Sequence, residues 1–251
     1  MKRLLLPLVA FFFCSFALTA QTAEEIIANY IENTGGKAKW EALTGVKMSA
    51  KLNMQGMELP LSMIRLKDGR QFSSATFQGM EIKQEVYDGT DLWSTNFQSM
   101  KAEKSDAEST ENFKANVGLD FPDPFLNYAS KGYKVELLGK ETIEGSETFK
   151  IKLTKKPIKV DGVETENVDF YYFDAESFVP LVVESEIKSG PAKGMVSQSK
   201  FSDYQEVNGL MFPFSLFNGA KGQPGGQTIT MTAIELNPQV EAALFTFPAG
   251  N

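Results

Sequence analysis

Few residues in this chain of 251 could do chemistry. The sequence contains no histidine and one cysteine. This excludes a Ser-His-Asp or Cys-His nucleophile, a histidine base or metal ligand, and a disulfide within the chain. The formal charge of −7 disfavours a nucleic-acid partner, because phosphates are bound by clustered positive charge. The composition therefore argues against an ordinary enzyme, and we expect no cofactor.

Acidic residues near 103–111, near 164–169 and at Asp120 and Asp123 could suggest a metal or acid–base site. Asp120 and Asp123 could flank a cleft, but the adjacent Pro122 and Pro124 indicate turn and cap positions. A hydrolase would need a Ser-Lys pair or a carboxylate dyad, and neither stands out. The group at 103–111 lacks the spacing of a calcium loop and is interpreted as solvated helix surface: Glu103, Asp106, Glu108 and Glu111. We expect neither catalysis nor a bound metal.

Residues 1–20 have the three-part pattern of a secretory signal peptide. Lys2 and Arg3 precede an apolar run over residues 4–17, and small residues lead to Ala20. The run is shorter than the roughly 20 apolar residues of a membrane-spanning helix. Cleavage after Ala20 would remove Cys14, whose bulky neighbours Phe11–Phe13 do not suit a lipidation site. We therefore expect a periplasmic protein whose residues 21–251 form one domain.

The hydrophobic pattern of that domain changes from helical to alternating. A capping-box pair, Thr22 and Glu25, begins a predicted helix that ends at Gly35-Gly36, and a second short helix carries Trp40. Residues 103–129 interrupt the later alternation with a predicted helix through Phe113 and a shorter one from Pro124. The predicted strands are 46–54, 57–66, 69–77, 79–87, 90–97, 133–143, 146–154, 164–173, 179–189, 194–206, 209–217 and 226–236.

So long a run of strands predicts a mainly β fold with short helices. A twisted sheet of this size must curl or close, and its interior is then wider than its own side chains fill. Helices or a ligand must occupy the remaining space. We therefore predict a single curled antiparallel sheet forming an incomplete barrel.

Candidate ligand-binding residues lie at alternate positions of the early strands. Methionine is flexible and polarizable, which suits variable apolar ligands, and each buried CH₂ contributes about 0.8 kcal/mol. Ordinary barrel core remains an equal interpretation for any one of these residues. The set comprises Met48, Leu52, Met54, Met57, Leu59, Leu61, Met63, Met80 and Ile82, with Trp93 at the mouth or packed in a hairpin.

The segment 84–93, QEVYDGTDLW, resembles an early hairpin of the LolA-like family of periplasmic lipoprotein carriers. The segment 235–250, ELNPQVEAALFTFPAG, is similar to the closing segment of that family. The resemblance implies an incomplete barrel covered by a helical lid. It also implies a monomer that binds acyl chains of lipoproteins, or another lipid, and moves them toward the outer membrane. Donor and acceptor proteins in the inner and outer membranes would be its partners.

Arg65 continues the apolar face of 57–63, where burying a guanidinium without partners would be costly. The resemblance implies an inward arginine that bonds the lid backbone, and Arg65 or Arg70 could be that residue. Alternatively, Arg65 ends its strand and points to water.

Two other functions stay open at this point. RseB-like sensors resemble the same scaffold but generally add a second domain. A non-carrier interaction protein is the remaining alternative.

Overall fold

The computed structural model describes residues 21–54 and 56–248. The predicted signal peptide and Cys14 lie outside these residues. The helices are α1 (Ala23–Asn33), α2 (Lys37–Glu41) and α3 (Ala107–Val117), with 3-10 turns at Tyr128–Lys131 and Ala242–Leu244. The strands are β1 (Gly45–Met54), β2 (Met57–Leu66), β3 (Gln71–Phe77), β4 (Met80–Tyr87), β5 (Leu92–Thr95), β6 (Ala102–Lys104), β7 (Lys134–Ile143), β8 (Ser146–Thr154), β9 (Ile158–Val160), β10 (Val163–Thr165), β11 (Val168–Asp174), β12 (Pro180–Glu186), β13 (Val196–Val207), β14 (Leu210–Ala220) and β15 (Gln227–Leu236).

One antiparallel sheet of 13 strands organises the molecule. Its order is β6-β5-β4-β3-β2-β1-β15-β14-β13-β12-β11-β8-β7, and β9 and β10 form a separate hairpin. The edge strands β6 and β7 do not pair with each other, so the curled sheet does not close into a barrel. The predicted fold class, a mainly β protein built on one curled antiparallel sheet with few helices, is confirmed.

Helix α1 begins as the sequence predicts. The Thr22 side chain accepts a hydrogen bond from the Glu25 amide (3.2 Å), and the Glu25 carboxylate accepts one from the Thr22 amide (3.0 Å). Gly35 follows the helix with φ of 123°, and a Cβ at this position would lie 2.3 Å from the Gly209 carbonyl oxygen. Only glycine therefore allows this close approach of α1 to the β13–β14 turn.

The segment after α3 differs from the sequence prediction. Helix α3 is present, but the shorter helix expected from Pro124 is replaced by turns and the 3-10 helix Tyr128–Lys131. Asn127 has φ of 56°, a left-handed conformation that cannot continue an α-helix. The chain therefore crosses the sheet here as an irregular segment.

Two apolar clusters lie on opposite faces of the sheet. The inner cluster packs α1 and α2 against β8, β11 and the beginning of β1, and includes Ile26, Tyr30, Trp40, Val46 and Leu153. The outer cluster is covered by residues 238–247, which follow β15, and contains Ile64, Leu66, Phe72, Val86, Trp93 and Phe245. Among the described residues, no helix has the length and apolar character needed to cross a membrane.

Candidate functional site

The apolar rows of β1 and β2 lie side by side on the inner face. Directly opposite residues of antiparallel strands share a face. Met48 lies opposite Met63, and Leu52 lies opposite Leu59. Val46, on the same face of β1, belongs to the inner cluster. The Met48–Met54 and Met57–Met63 rows therefore form one surface, as their alternation predicts.

This surface is only partly covered. Met54 and Met57 are 42% and 46% exposed, and the residues between them and the core are half-buried: Met48, Leu52, Leu59, Leu61 and Met63. On β8 of the same inner face, by contrast, Ile151 and Leu153 are completely buried beneath the helices. We call the β1–β2 rows and their continuation on neighbouring strands the inner wall. The inner wall is more exposed than β8 of the same face, although Ala50, opposite Leu61, is buried.

The inner wall continues onto strands on both sides. Ala75 of β3 lies opposite Leu61, and Ile82 of β4 lies opposite Ala75. Met80, at the start of β4, is largely exposed, whereas Ile82 is buried. On the other side, Ile229 of β15 lies opposite Leu52. Every predicted apolar ligand-binding residue except Trp93 thus lies on this wall, while its binding role stays a prediction.

Trp93 lies on the outer face. It is buried in the outer cluster, and its indole N–H donates to the Phe245 carbonyl (3.0 Å). The cause is a one-residue bulge at Glu85, where φ is 50° and the register of β3 against β4 shifts. Such a shift turns the following side chains to the other face, so Val86 and its partner Trp93 point outward. The prediction that Trp93 binds ligand at the mouth of the inner face is therefore wrong, because its side chain packs in the outer cluster.

Helix α3 covers part of the inner face without packing tightly. None of its residues is buried. The Phe113 ring contacts the Tyr87 ring at a centroid distance of 5.3 Å. Hydrogen bonds tie α3 to the β9–β10 hairpin: the Glu108 carboxylate accepts from the amides of Asp161 (2.9 Å) and Gly162 (2.7 Å). We call α3 with this hairpin the lid.

A cavity of about 400 Å³ lies beneath the lid. Its sheet side is lined by Arg65, Gln71 and Leu92, and its lid side includes Asn112, Phe113 and Asn116. Arg65, at the end of the β2 row, thus borders this cavity. The inner wall is apolar along β1 and β2 and becomes more polar where it meets the cavity.

The two arginines of the described segments have different surroundings. Arg70 forms an ion pair with Asp68 (2.8 Å) and lies over the Phe245 ring, on the outer side. Arg65 lies opposite Val46 on the inner face and is exposed to the cavity. Within residues 21–54 and 56–248 its guanidinium has no hydrogen bond or ion pair. Arg65 is therefore the inward arginine, and the bond to the lid backbone that the resemblance implied is not formed.

A buried ionic cluster adjoins the cavity. The Lys155 ammonium lies 2.9 Å from Asp169 and 3.3 Å from Asp120, and the Tyr133 hydroxyl donates to Asp120 (2.8 Å). Burial lowers the pKa of Lys155, but the charges of Asp169 and Asp120 outweigh it, so the net pKa is raised. Lys155 is therefore held protonated, which does not suit a nucleophile or general base.

Lys155 and Asn112 were not found from the sequence. They reach the inner face from segments 90 and 47 positions from Arg65 along the chain. Lysine and asparagine in polar segments give no signal of such a convergence, so only the fold reveals it.

An open antiparallel sheet, a partly uncovered apolar inner wall and a loosely packed lid with an open cleft beneath it define a half-barrel protein. No protein-family model matches the chain, and a search of curated proteins finds no match. The chain nevertheless has the LolA-like fold, which confirms the resemblance at the level of fold.

Three solved structures show this similarity. A DUF1329 family protein from Desulfovibrio piger is 13% identical, with a TM-score of 0.54, over 90% of this chain and 98% of its own. A LolA superfamily protein from Nitrosomonas europaea is 15% identical, with a TM-score of 0.52, over the same shares of the two chains. A domain named for outer membrane lipoprotein sorting, from Vibrio parahaemolyticus, is 12% identical, with a TM-score of 0.54, over 89% and 97%.

Proposed function

We propose that this protein binds the acyl chains of lipoproteins, or of another lipid, against the inner wall and carries them toward the outer membrane. The observation that supports the proposal is the partial exposure of Leu52, Leu59, Leu61 and their neighbours on the inner face of the sheet. Exposed contiguous apolar surfaces in folded proteins commonly mark ligand or partner sites.

The energetics favour an acyl chain as the occupant. Each buried CH₂ contributes about 0.8 kcal/mol, so ten methylenes would contribute roughly 8 kcal/mol before the costs of ordering are subtracted. The thioethers of Met48, Met54, Met57 and Met63 can adapt to chains of different length and branching. Binding would therefore be strong without a shape-specific pocket.

A carrier must also release its cargo, and a lid that moves easily would permit this release. Because α3 buries none of its residues, moving it costs little hydrophobic free energy. We propose that the protein acts by binding and not by catalysis, in the periplasm after removal of residues 1–20. The similarity to a domain named for lipoprotein sorting supports this class of cargo.

Displacement of a neutral acyl probe tests the proposal. Residues 21–251 should bind a pyrene-labelled monoacylglycerol, and Leu59→Gln should weaken binding about 10-fold, because one leucine side chain contributes about 1.5–3 kcal/mol when buried. Thr76→Gln, an exposed outer-face change on β3, is the matched control. Absence of probe binding to the unaltered protein would overturn the proposal, as would equal binding by both variants.

Native mass spectrometry identifies the natural cargo. Protein purified from the envelope of the cell that makes it should carry an acylated species. Protein that is reproducibly empty would contradict stable carriage.

A further inference from the structure

We infer that Arg65 and Gln71 form a headgroup site for an anionic amphiphile, with the headgroup beneath the lid and the acyl chain along the inner wall. The inference rests on the proposed function and adds the ligand's charge and orientation. It starts from the cavity that these two residues line.

The inner row of β2 changes character along its length. From the β1–β2 turn it consists of Met57, Leu59, Leu61 and Met63, and it ends at Arg65. At about 3.3 Å per residue, the row is roughly 27 Å long. A single cation therefore stands at one end of a continuous apolar strip, which is the polarity of an amphiphile with one charged end.

Arg65 and Gln71 are adjacent hydrogen-bond donors. Gln71 lies directly opposite Arg65 on β3, and neither side chain has a hydrogen-bond partner in the described part of the chain. A guanidinium binds carboxylate or phosphate with two parallel hydrogen bonds, and a neighbouring amide can add a third. Both donors are thus available to a ligand.

The nearby carboxylates do not occupy these donors. Asp120 and Asp169 are held by Lys155, and they also accept hydrogen bonds from the hydroxyls of Tyr133 and Ser185. Lys155 offsets one of these two negative charges, and the hydroxyls satisfy further acceptor positions. Arg65 brings these four groups to neutrality, and it is the cation of the cavity whose hydrogen-bond donors have no partner in the described part of the chain.

The charge of Arg65 also affects a buried tyrosine of the inner face. Burial raises the pKa of the Tyr171 hydroxyl, as do Asp169, Asp123 and Asp120, whereas Arg65 opposes that increase. The Arg65 guanidinium of β2 is thus near enough to Tyr171 of β11 for its charge to oppose that increase in pKa.

Carboxylate and phosphate headgroups share the required chemistry, so the experiment uses both. Palmitate, palmitoyl-lysophosphatidylglycerol and neutral monopalmitoylglycerol are each used to displace the pyrene probe from residues 21–251. Either anionic ligand should bind about 10-fold more tightly than the neutral one, as expected for charge-assisted hydrogen bonds of about 1.5–3 kcal/mol. Preference for palmitate alone identifies a carboxylate site, and preference for the lysophospholipid alone identifies a phosphate site.

Two variants locate the effect. Arg65→Gln should abolish the preference for anionic ligands while retaining binding of monopalmitoylglycerol. Arg70→Gln, which removes the outer-face arginine, should keep the preference unchanged. Equal affinity of the unaltered protein for charged and neutral ligands, or a preference that survives Arg65→Gln, would overturn the inference and leave the proposed function standing. If none of the three ligands binds, the proposed function itself fails.

Discussion

Asn112 of the lid helix is bonded to both backbone groups of Lys159 in the β9–β10 hairpin. Its side-chain amide donates to the Lys159 carbonyl (2.6 Å), and its side-chain carbonyl accepts from the Lys159 amide (2.8 Å). Together with the bonds from Glu108 to the same hairpin, this pairing joins α3 to the hairpin. The lid is thus stabilised mainly by polar contacts, which can be broken and remade.

Asn112→Ala should loosen the lid without unfolding the sheet. Both bonds to Lys159 would be lost, each contributing about 0.5–1.5 kcal/mol, and α3 has no buried side chains to compensate. Hydrogen exchange should become faster in 107–117 and 158–165 and stay unchanged in β8 and β11. Asn33→Ala removes one exposed bond to the Ser177 carbonyl and is the control. Unchanged exchange in both lid segments would contradict the view that these hydrogen bonds hold α3 and the hairpin together.

Asp123 should make the protein less stable as the pH rises. Burial raises the pKa of its carboxyl, although Tyr30 donates to it at 2.6 Å. A carboxyl whose pKa is raised by folding favours the folded state below its unfolded pKa of about 3.9, and that contribution is lost as the pH rises through the folded pKa. Relative to Asp123→Asn, the unaltered protein should therefore lose unfolding free energy as the pH rises above about 4.

Denaturant unfolding at a series of pH values measures this difference. The asparagine can still accept from the Phe125 amide, as Asp123 does at 2.8 Å, so the local fold is retained. A pH-independent difference between the two proteins would count against the assignment.

Glu184 on the outer face should make the protein more stable as the pH rises, which is the opposite of the effect of Asp123. Burial raises the pKa of its carboxyl. Hydrogen bonds from Lys221, Gln198 and Tyr172 lower that pKa by more than burial raises it, so the net pKa is depressed. Its stabilising contribution is present above the unfolded pKa of about 4.3 and is lost as the pH falls through the folded pKa.

Glu184→Gln should therefore reduce the unfolding free energy at pH 7 by about 1–3 kcal/mol, with a smaller loss near pH 3. Glu206→Gln, on an exposed position of β13, should change little at either pH. Thermal unfolding followed by circular dichroism measures both variants, and a loss as large at pH 3 as at pH 7 would refute the charge-based account.

Phe245 should be essential to the outer cluster. It is completely buried against Phe72 and Trp93, so Phe245→Ala should cost about 3–5 kcal/mol of unfolding free energy and shift Trp93 fluorescence to the red. Phe97→Ala is the matched control, since Phe97 is 68% exposed and should contribute less than about 0.5 kcal/mol. Equal stabilities for the two variants would show that residues 238–247 do not close this core.

Much of the fold is predictable because its signals are local. Alternation over 46–54 and 57–66 predicts two strands whose apolar sides meet, and their register agrees. The Thr22–Glu25 spacing predicts the start of α1, and its capping hydrogen bonds are present. Both depend on backbone periodicity and on contacts within a few residues. The segment after Pro124 is not predictable in this way, because Asn127 adopts a left-handed conformation there.

The sequence by itself determined the absence of histidine chemistry, the long antiparallel sheet and the apolar rows of its early strands. Only the tertiary structure decided which rows are covered and which stay open. Trp93 points outward because of a bulge at Glu85, and it bonds a residue 152 positions away. Arg65 faces the cavity whereas Arg70 pairs with Asp68. The physical reason is that burial depends on contacts between distant segments, whereas periodicity records only the conformation of each strand.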